Sequence, residues 1–237
     1  MDIGELFRGG TLDMSAEPWP ALAAGPAWTD FLTNRILACA AVCVLLLNLL
    51  DLFRIVPHLL YSYDRPHGAS ALEHNMGLAR SRNLTALCYA LPVFLVADRF
   101  ALIRPRFFEA VPPQWTAVAV IGVLLGYFLV REICYLLLRP RRIGGEAVAT
   151  LKHNPGNYVI LLAILMLTTV GVCTIFHIPD GIARSVLLWE TAAVWLFNMV
   201  RSVQLLASHV SGFSIFLYLC GLELLPAALL VTVVVLF

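Results

Sequence analysis

"NYVILLAILMLTTVGVCTIFHI", residues 157 to 178, runs for 22 positions without an aspartate, glutamate, lysine or arginine. A bilayer's hydrocarbon core is about 30 Å thick, and a helix crosses it with roughly 20 mainly apolar residues. In lipid every backbone polar group must be bonded within the protein, so such a stretch is a helix and not an open strand. Five further stretches read the same way, at about 36–56, 84–103, 115–138, 185–208 and 213–236. The second is the weakest, because Pro92 interrupts it and Asp98-Arg99 lies near its end. The expected fold is all-α, a polytopic integral membrane bundle of about six transmembrane helices. Residues 35–237 form its single transmembrane domain, and residues 1–34 an outward-facing interfacial segment.

Composition agrees. The chain is 60% hydrophobic and 13% charged, whereas soluble domains are nearer half apolar and a quarter charged. The formal charge of +1 is less informative than its placement. Residues 57–83 carry Arg65, Arg80 and Arg82; residues 139–156 carry Arg139, Arg141, Arg142 and Lys152. Both stretches read as loops after odd-numbered spans, so both lie on one side, and the positive-inside rule makes that side the cytoplasm. Both termini then face outward. Trp19, Trp28, Trp115 and Trp189 fall at the outer interface, and Tyr61, Tyr63, Tyr135 and Tyr158 at the inner one, as amphipathic rings prefer. The first thirty residues carry Asp2, Glu5, Asp13, Glu17 and Asp30 without a basic start, so no cleavable signal is expected.

No stretch has the basic and aromatic interleaving of a nucleic-acid site. All six cysteines lie in apolar stretches, where cysteine is ordinarily a small packing residue. No Cys-x-x-Cys pair suggests a metal, no His-Glu-x-x-His or Gly-x-Ser-x-Gly suggests an enzyme, and no cofactor is expected.

The unusual residues are charges inside spans. Arg131 and Arg201 lie roughly 7 Å, and Glu132 and Asp51 roughly 8 Å, to the cytoplasmic side of their span midpoints, at 1.5 Å per residue. Glu223 is nearly central, and Arg54 is closer to the interface. A charge near the bilayer centre costs about 2.5 to 3.5 kcal/mol on insertion scales, so these side chains should face the bundle interior. Asp51, Arg54, Arg131, Glu132, Arg201 and Glu223 are therefore the candidate polar cluster. Gly212, Cys220, Glu223 and Ala227 form a stripe of small residues that permits close approach. Pro226 denies the carbonyl of Leu222 its hydrogen bond. Glu223 should pack inward against an arginine of the fifth or third span, with Arg201 the expected partner and Arg131 the alternative. Two readings follow: ion pairs that hold helices together, or a substrate or proton path.

The end of the chain, "VRSVQLLASHVSGFSIFLYLCGLELLPAALLV", resembles the C-terminus of the Bacteroidetes inner-membrane family called domain of unknown function 4271. The matching positions are Arg201, Phe213, Phe216, Tyr218, Leu219, Cys220, Leu222, Glu223, Leu225 and Pro226, with Gly221 where a threonine is common. The resemblance implies the inner membrane of a diderm bacterium and supplies no activity. The expected role is a non-catalytic subunit or accessory factor of a cell-envelope assembly or secretion system. Its partners would be the bilayer, other membrane proteins or further copies of itself. The alternative is a small-solute or lipid transporter built around Glu223 and Arg201.

Overall fold

A computed structural model describes residues 28–64, 76–103, 105, 108, 110–137, 145–207 and 212–236. All regular structure among them is helical: α1 (Leu32–Leu47), α2 (Leu49–Asp64), α3 (Met76–Arg99), α4 (Thr116–Leu137), α5 (Gly145–Ile175), α6 (Asp180–Ala207), α7 (Gly212–Leu219), a π-helical turn (Cys220–Leu224) and α8 (Leu225–Leu236), with short 3₁₀ turns at Trp28–Asp30 and Pro113–Trp115. The expected all-α membrane bundle is what forms.

Among the described residues four segments are long and apolar enough to cross a membrane: Pro113–Leu137, Leu151–Ile175, Asp180–Ala207 and Ile215–Val233. The bent pair α1–α2 makes a fifth if it counts as one span. Its bend of 64° falls at Asn48, inside what reads as one continuous span. The Asn48 side chain donates to the Val44 carbonyl at 3.0 Å, and the Asn48 amide reaches the same oxygen at 3.1 Å. An asparagine that competes for its own helix carbonyls interrupts the ladder.

The expected second span, α3, is helical over 24 residues, about 36 Å at 1.5 Å per residue. It is the central helix, packing on α1, α2, α4 and α5. Tyr89, Ala90, Phe94, Leu95, Val96 and Ala97 are all buried on it. A helix covered by four others over most of its second half needs less apolar surface than one facing lipid, while Leu84 and Leu87 in its first half stay exposed. The two connections expected as loops are shorter than expected. Arg82 is not in a loop but buried within α3, bonded to Asn83, and Lys152 lies within α5, which already begins at Gly145. Hydropathy marks where apolar side chains stop, not where a helix stops. The inferences about Trp19, Arg65, Arg139, Arg141, Arg142 and most of segment 1–34 concern residues outside those described.

The helices are turned inside-out relative to soluble ones. On α4, Ala117, Val120, Leu124, Arg131, Cys134 and Tyr135 are buried at helical spacing, while Leu125, Leu129 and Leu136 face outward. On α6 the buried stripe includes Asn198, Arg201 and Ser202, while Leu188, Trp189, Leu196 and Phe197 are exposed. Polar groups are inside because lipid cannot satisfy them.

α5 packs on both α3 and α6, the π-helical turn and α8 pack on α4, and α7 packs on α6. α3, α4, the C-terminal segment, α6 and α5 therefore enclose a common centre.

Two helices end on non-glycine residues in the left-handed region, Ala101 at φ 49° and His177 at φ 52°. In each case the following amide bonds back five residues, Leu102 to Ala97 and Ile178 to Cys173, both at 2.9 Å. This is a Schellman cap, whose turning position favours glycine because a Cβ is strained there. Ala101→Gly should therefore raise stability by about 0.5 to 1 kcal/mol, measured by SDS titration in mixed micelles. A loss of stability would show that the Ala101 methyl contributes packing worth more than the strain.

Candidate functional site

Arg131 sits about four turns along the buried stripe of α4, with its side chain only 6% exposed. It donates from Nη2 to Glu223 Oε1 at 2.7 Å, the length of a charge-assisted hydrogen bond. Glu223 is equally enclosed, with its side chain 4% exposed. Tyr135 lies four residues after Arg131, on the same helical face. Its ring lies 5.0 Å below the guanidinium carbon, within cation–π range. Its hydroxyl stands 3.3 Å from Arg131 Nη2, 3.1 Å from Glu223 Oε1 and 3.4 Å from the Leu151 carbonyl. A phenol has one proton and can accept as well. It accepts from Arg131 and donates to Glu223, leaving the longer contact to Leu151 as the weaker choice. The result is a closed triangle of arginine, tyrosine and carboxylate binding the C-terminal segment to α4.

The backbone brings Glu223 there. The Leu225 amide bonds to the Cys220 carbonyl, five residues back, as in a π-helix and not an α-helix. Pro226 has no N–H for Leu222 and is itself fully buried, so the hydrogen-bond ladder slips by one residue before it. The π turn packs on α4, which explains why the expected Arg201–Glu223 pair does not form and Arg131 takes its place. Arg201 is buried on α6 and donates from Nη1 to Gln204 Oε1 at 2.8 Å.

The rest of the candidate cluster is not gathered here. Glu132, next to Arg131 in sequence, points away and pairs with Lys152 at 2.7 Å, both half-exposed. Neighbours in sequence on a helix do not share a face. Asp51 and Arg54 lie on α2, whose packing is against α1, α3 and α5, and Arg54 is exposed. Of the six residues, Arg131 and Glu223 alone are joined by an ion pair among the described residues.

Three polar contacts were not anticipated. Asn154 donates to Asn198 at 3.1 Å between α5 and α6, fully buried. Thr169 donates to Glu190 between the same two helices. Tyr63 donates to the Asn157 carbonyl at 2.6 Å, and its ring packs on Tyr158 and Phe197. The i, i+4 spacing of Arg131 and Tyr135 was the available signal for the triangle. Asn198 shares a polar stripe with Glu190 and Arg201 at helical spacing, but nothing in the sequence names Asn154, 44 residues away, as its partner.

At the centre of the five enclosing elements lies a cleft of about 260 Å³. Its walls are almost wholly apolar, from Phe94 and Leu124 to Met166 and Leu230, with Arg131, Glu223 and Asn198 also in the lining. Three side chains on its wall have buried polar atoms without a hydrogen-bond partner: Arg131 Nε, Tyr158 Oη and Trp195 Nε1. An unmade hydrogen bond on a buried donor costs about 1 to 3 kcal/mol.

Tyr135→Phe keeps the ring under Arg131 and removes the hydroxyl. It should cost about 0.5 to 1.5 kcal/mol, read by the same SDS titration. No change at all would mean that the hydroxyl adds nothing to the pair.

Searches against protein-family models, curated proteins and solved structures find no match to this chain.

Proposed function

We propose that this chain is a non-catalytic, multi-pass protein of a bacterial inner membrane, acting as a subunit or accessory factor of an envelope assembly or secretion apparatus. The observation that carries this reading is the break at Asn48. Irregular backbone is tolerated at membrane depth only where protein or a water-filled cavity covers it. Around this break Leu46, Leu47, Leu49, Leu50 and Phe53 are exposed. A helix from another membrane protein would cover them. The C-terminal resemblance supports the inner membrane of a diderm bacterium.

On this reading the chain crosses six times, with α1–α2 as the first crossing, α3 as the second and α7–α8 as the last. The arginine distribution puts both ends outside. Alkaline phosphatase fused after residue 237 should then be active, and a stably inserted but inactive fusion would reverse the orientation. The role itself is tested at the break. With Leu47→Cys, a bismaleimide cross-linker applied to native membranes should join the chain to a different membrane protein, identified by mass spectrometry. Recovery of the uncross-linked monomer alone, or of self-adducts alone, would overturn the subunit reading.

The central cleft favours a second reading, a carrier for a lipid or small solute. Transporter sites are commonly built near the midplane from interrupted helices, and the cleft has the π turn in its wall.

A further inference from the structure

We propose that the central cleft binds a membrane quinone, a neutral planar dicarbonyl ring on an isoprenoid tail. The inference does not depend on whether the chain is a subunit or a carrier.

Charge limits the occupant first. Arg131 and Glu223 neutralise each other at 2.7 Å. An occupant with a phosphate or carboxylate head would bring a further negative charge into an apolar cleft and compete with Glu223 for Arg131. A cationic head would compete with Arg131 for Glu223. A neutral head disturbs neither.

Hydrogen bonding limits it next. The unpartnered atoms on the wall are an arginine Nε–H, an indole N–H and a phenol. The first two can only donate. They come from three different helices, α4, α6 and α5. A head with acceptor oxygens on opposite edges answers them, and a single ester or hydroxyl at one edge does not. The atoms are closed to solvent, so small side-chain rotations must accompany binding.

Shape limits it third. Phe94, Tyr127, Phe128, Tyr158 and Trp195 all contribute to the wall, and aromatic faces and edges favour a flat ring. The Tyr158 ring is held from behind by Tyr63 and Phe197, at centroid distances of 5.4 and 5.7 Å. The rest of the lining is mostly aliphatic, including Leu102, Ile103, Leu188 and Leu230. This gives the tail an apolar surface.

The test starts with the protein purified from native membranes in dodecyl maltoside. Solvent extraction and mass spectrometry should recover quinone near one per chain, above the level carried by an unrelated membrane protein prepared alongside. Decylubiquinone should then quench tryptophan fluorescence saturably in the quinone-depleted protein. Trp195→Phe keeps a ring and deletes the donor, so affinity should fall about tenfold, while Trp189→Phe, on the exposed face, should leave it unchanged. If Trp195→Phe unfolds, Tyr158→Phe carries the same comparison. Co-purification of fatty acid or phospholipid in place of quinone would overturn the proposal. So would quenching that never saturates, or that is equal in the Trp195 and Trp189 variants.

Discussion

Glu223→Leu should destabilise the solubilised protein by about 2 to 4 kcal/mol, more than any other single polar replacement in the bundle. Removing one partner of a buried pair costs about 3 to 5 kcal/mol in soluble proteins. Polar couplings in membranes average about 0.6 kcal/mol and reach about 1.7, because the unfolded chain in lipid also finds partners. The expected value lies between these because both side chains are almost wholly enclosed and the substitution strands more than one donor. Arg131 Nη2 and the Tyr135 hydroxyl both lose Glu223 Oε1, and Arg131 Nε is already without a partner. Arg131→Leu combined with Glu223→Leu should recover at least about 1 kcal/mol relative to the sum of the singles. The matching cycle with Arg201→Leu should be additive. Additivity in the Arg131 cycle, or coupling only in the Arg201 cycle, would refute the pairing described above. The comparison also separates packing from function: a Glu223→Gln protein that accumulates and melts normally yet fails to complement a deletion would give the carboxylate a role beyond holding the helix.

Ile160→Ala should cost about 2 to 3 kcal/mol. Ile160 is fully buried where α5 meets α2 and α3, in a cluster with Leu52, Ile55, Leu59, Tyr89 and Ala163. In a soluble core such truncations cost about 2 to 5 kcal/mol, from lost transfer energy plus the cavity left behind. In lipid the transfer contribution largely cancels, because the unfolded helix also sits among hydrocarbon chains. The lost van der Waals contacts remain, which places the effect at the lower end. Leu165→Ala is the control: Leu165 is 37% exposed on the same helix and should change stability by less than about 0.5 kcal/mol. Equal losses at the two positions would mean that the α2–α3–α5 contact is not tightly packed.

Much of this architecture can be read from the residues alone, and the places where it cannot share a physical cause. An apolar run such as 157–178 reports that its helix lies in lipid, and counting along it reports depth. Neither reports which way a side chain faces relative to another helix. Arg131 and Arg201 sit at the same depth, both buried, so depth does not choose between them as the partner of Glu223. The choice is made by the slipped ladder before Pro226 and the packing of that turn on α4. The missing amide of Pro226 was legible; that the chain answers it with a π turn and not a kink depends on the tertiary fit. Asn48 is a similar case. An asparagine amid leucines looks like a tolerated polar residue until its side chain is seen taking the Val44 carbonyl. Glu132 shows the opposite error, where depth alone placed it in a cluster that its helical face excludes. The buried asparagine pair was invisible because its members come from different helices, and only packing brings them together.

The triangle of Arg131, Tyr135 and Glu223 also has a consequence in time. Its two charged members are 92 residues apart in the chain, and synthesis at roughly 5 to 20 residues per second leaves Arg131 waiting about 5 to 18 s for its counter-ion. During that interval α4 holds an arginine without its carboxylate partner, and the π-helical turn must carry Glu223 in to meet it. Insertion of the final helix therefore completes the electrostatics of a helix made long before. Until then the growing bundle must keep Arg131 beside the insertion machinery, a lipid headgroup or water, and release into the bilayer is tied to arrival of the segment that carries Glu223.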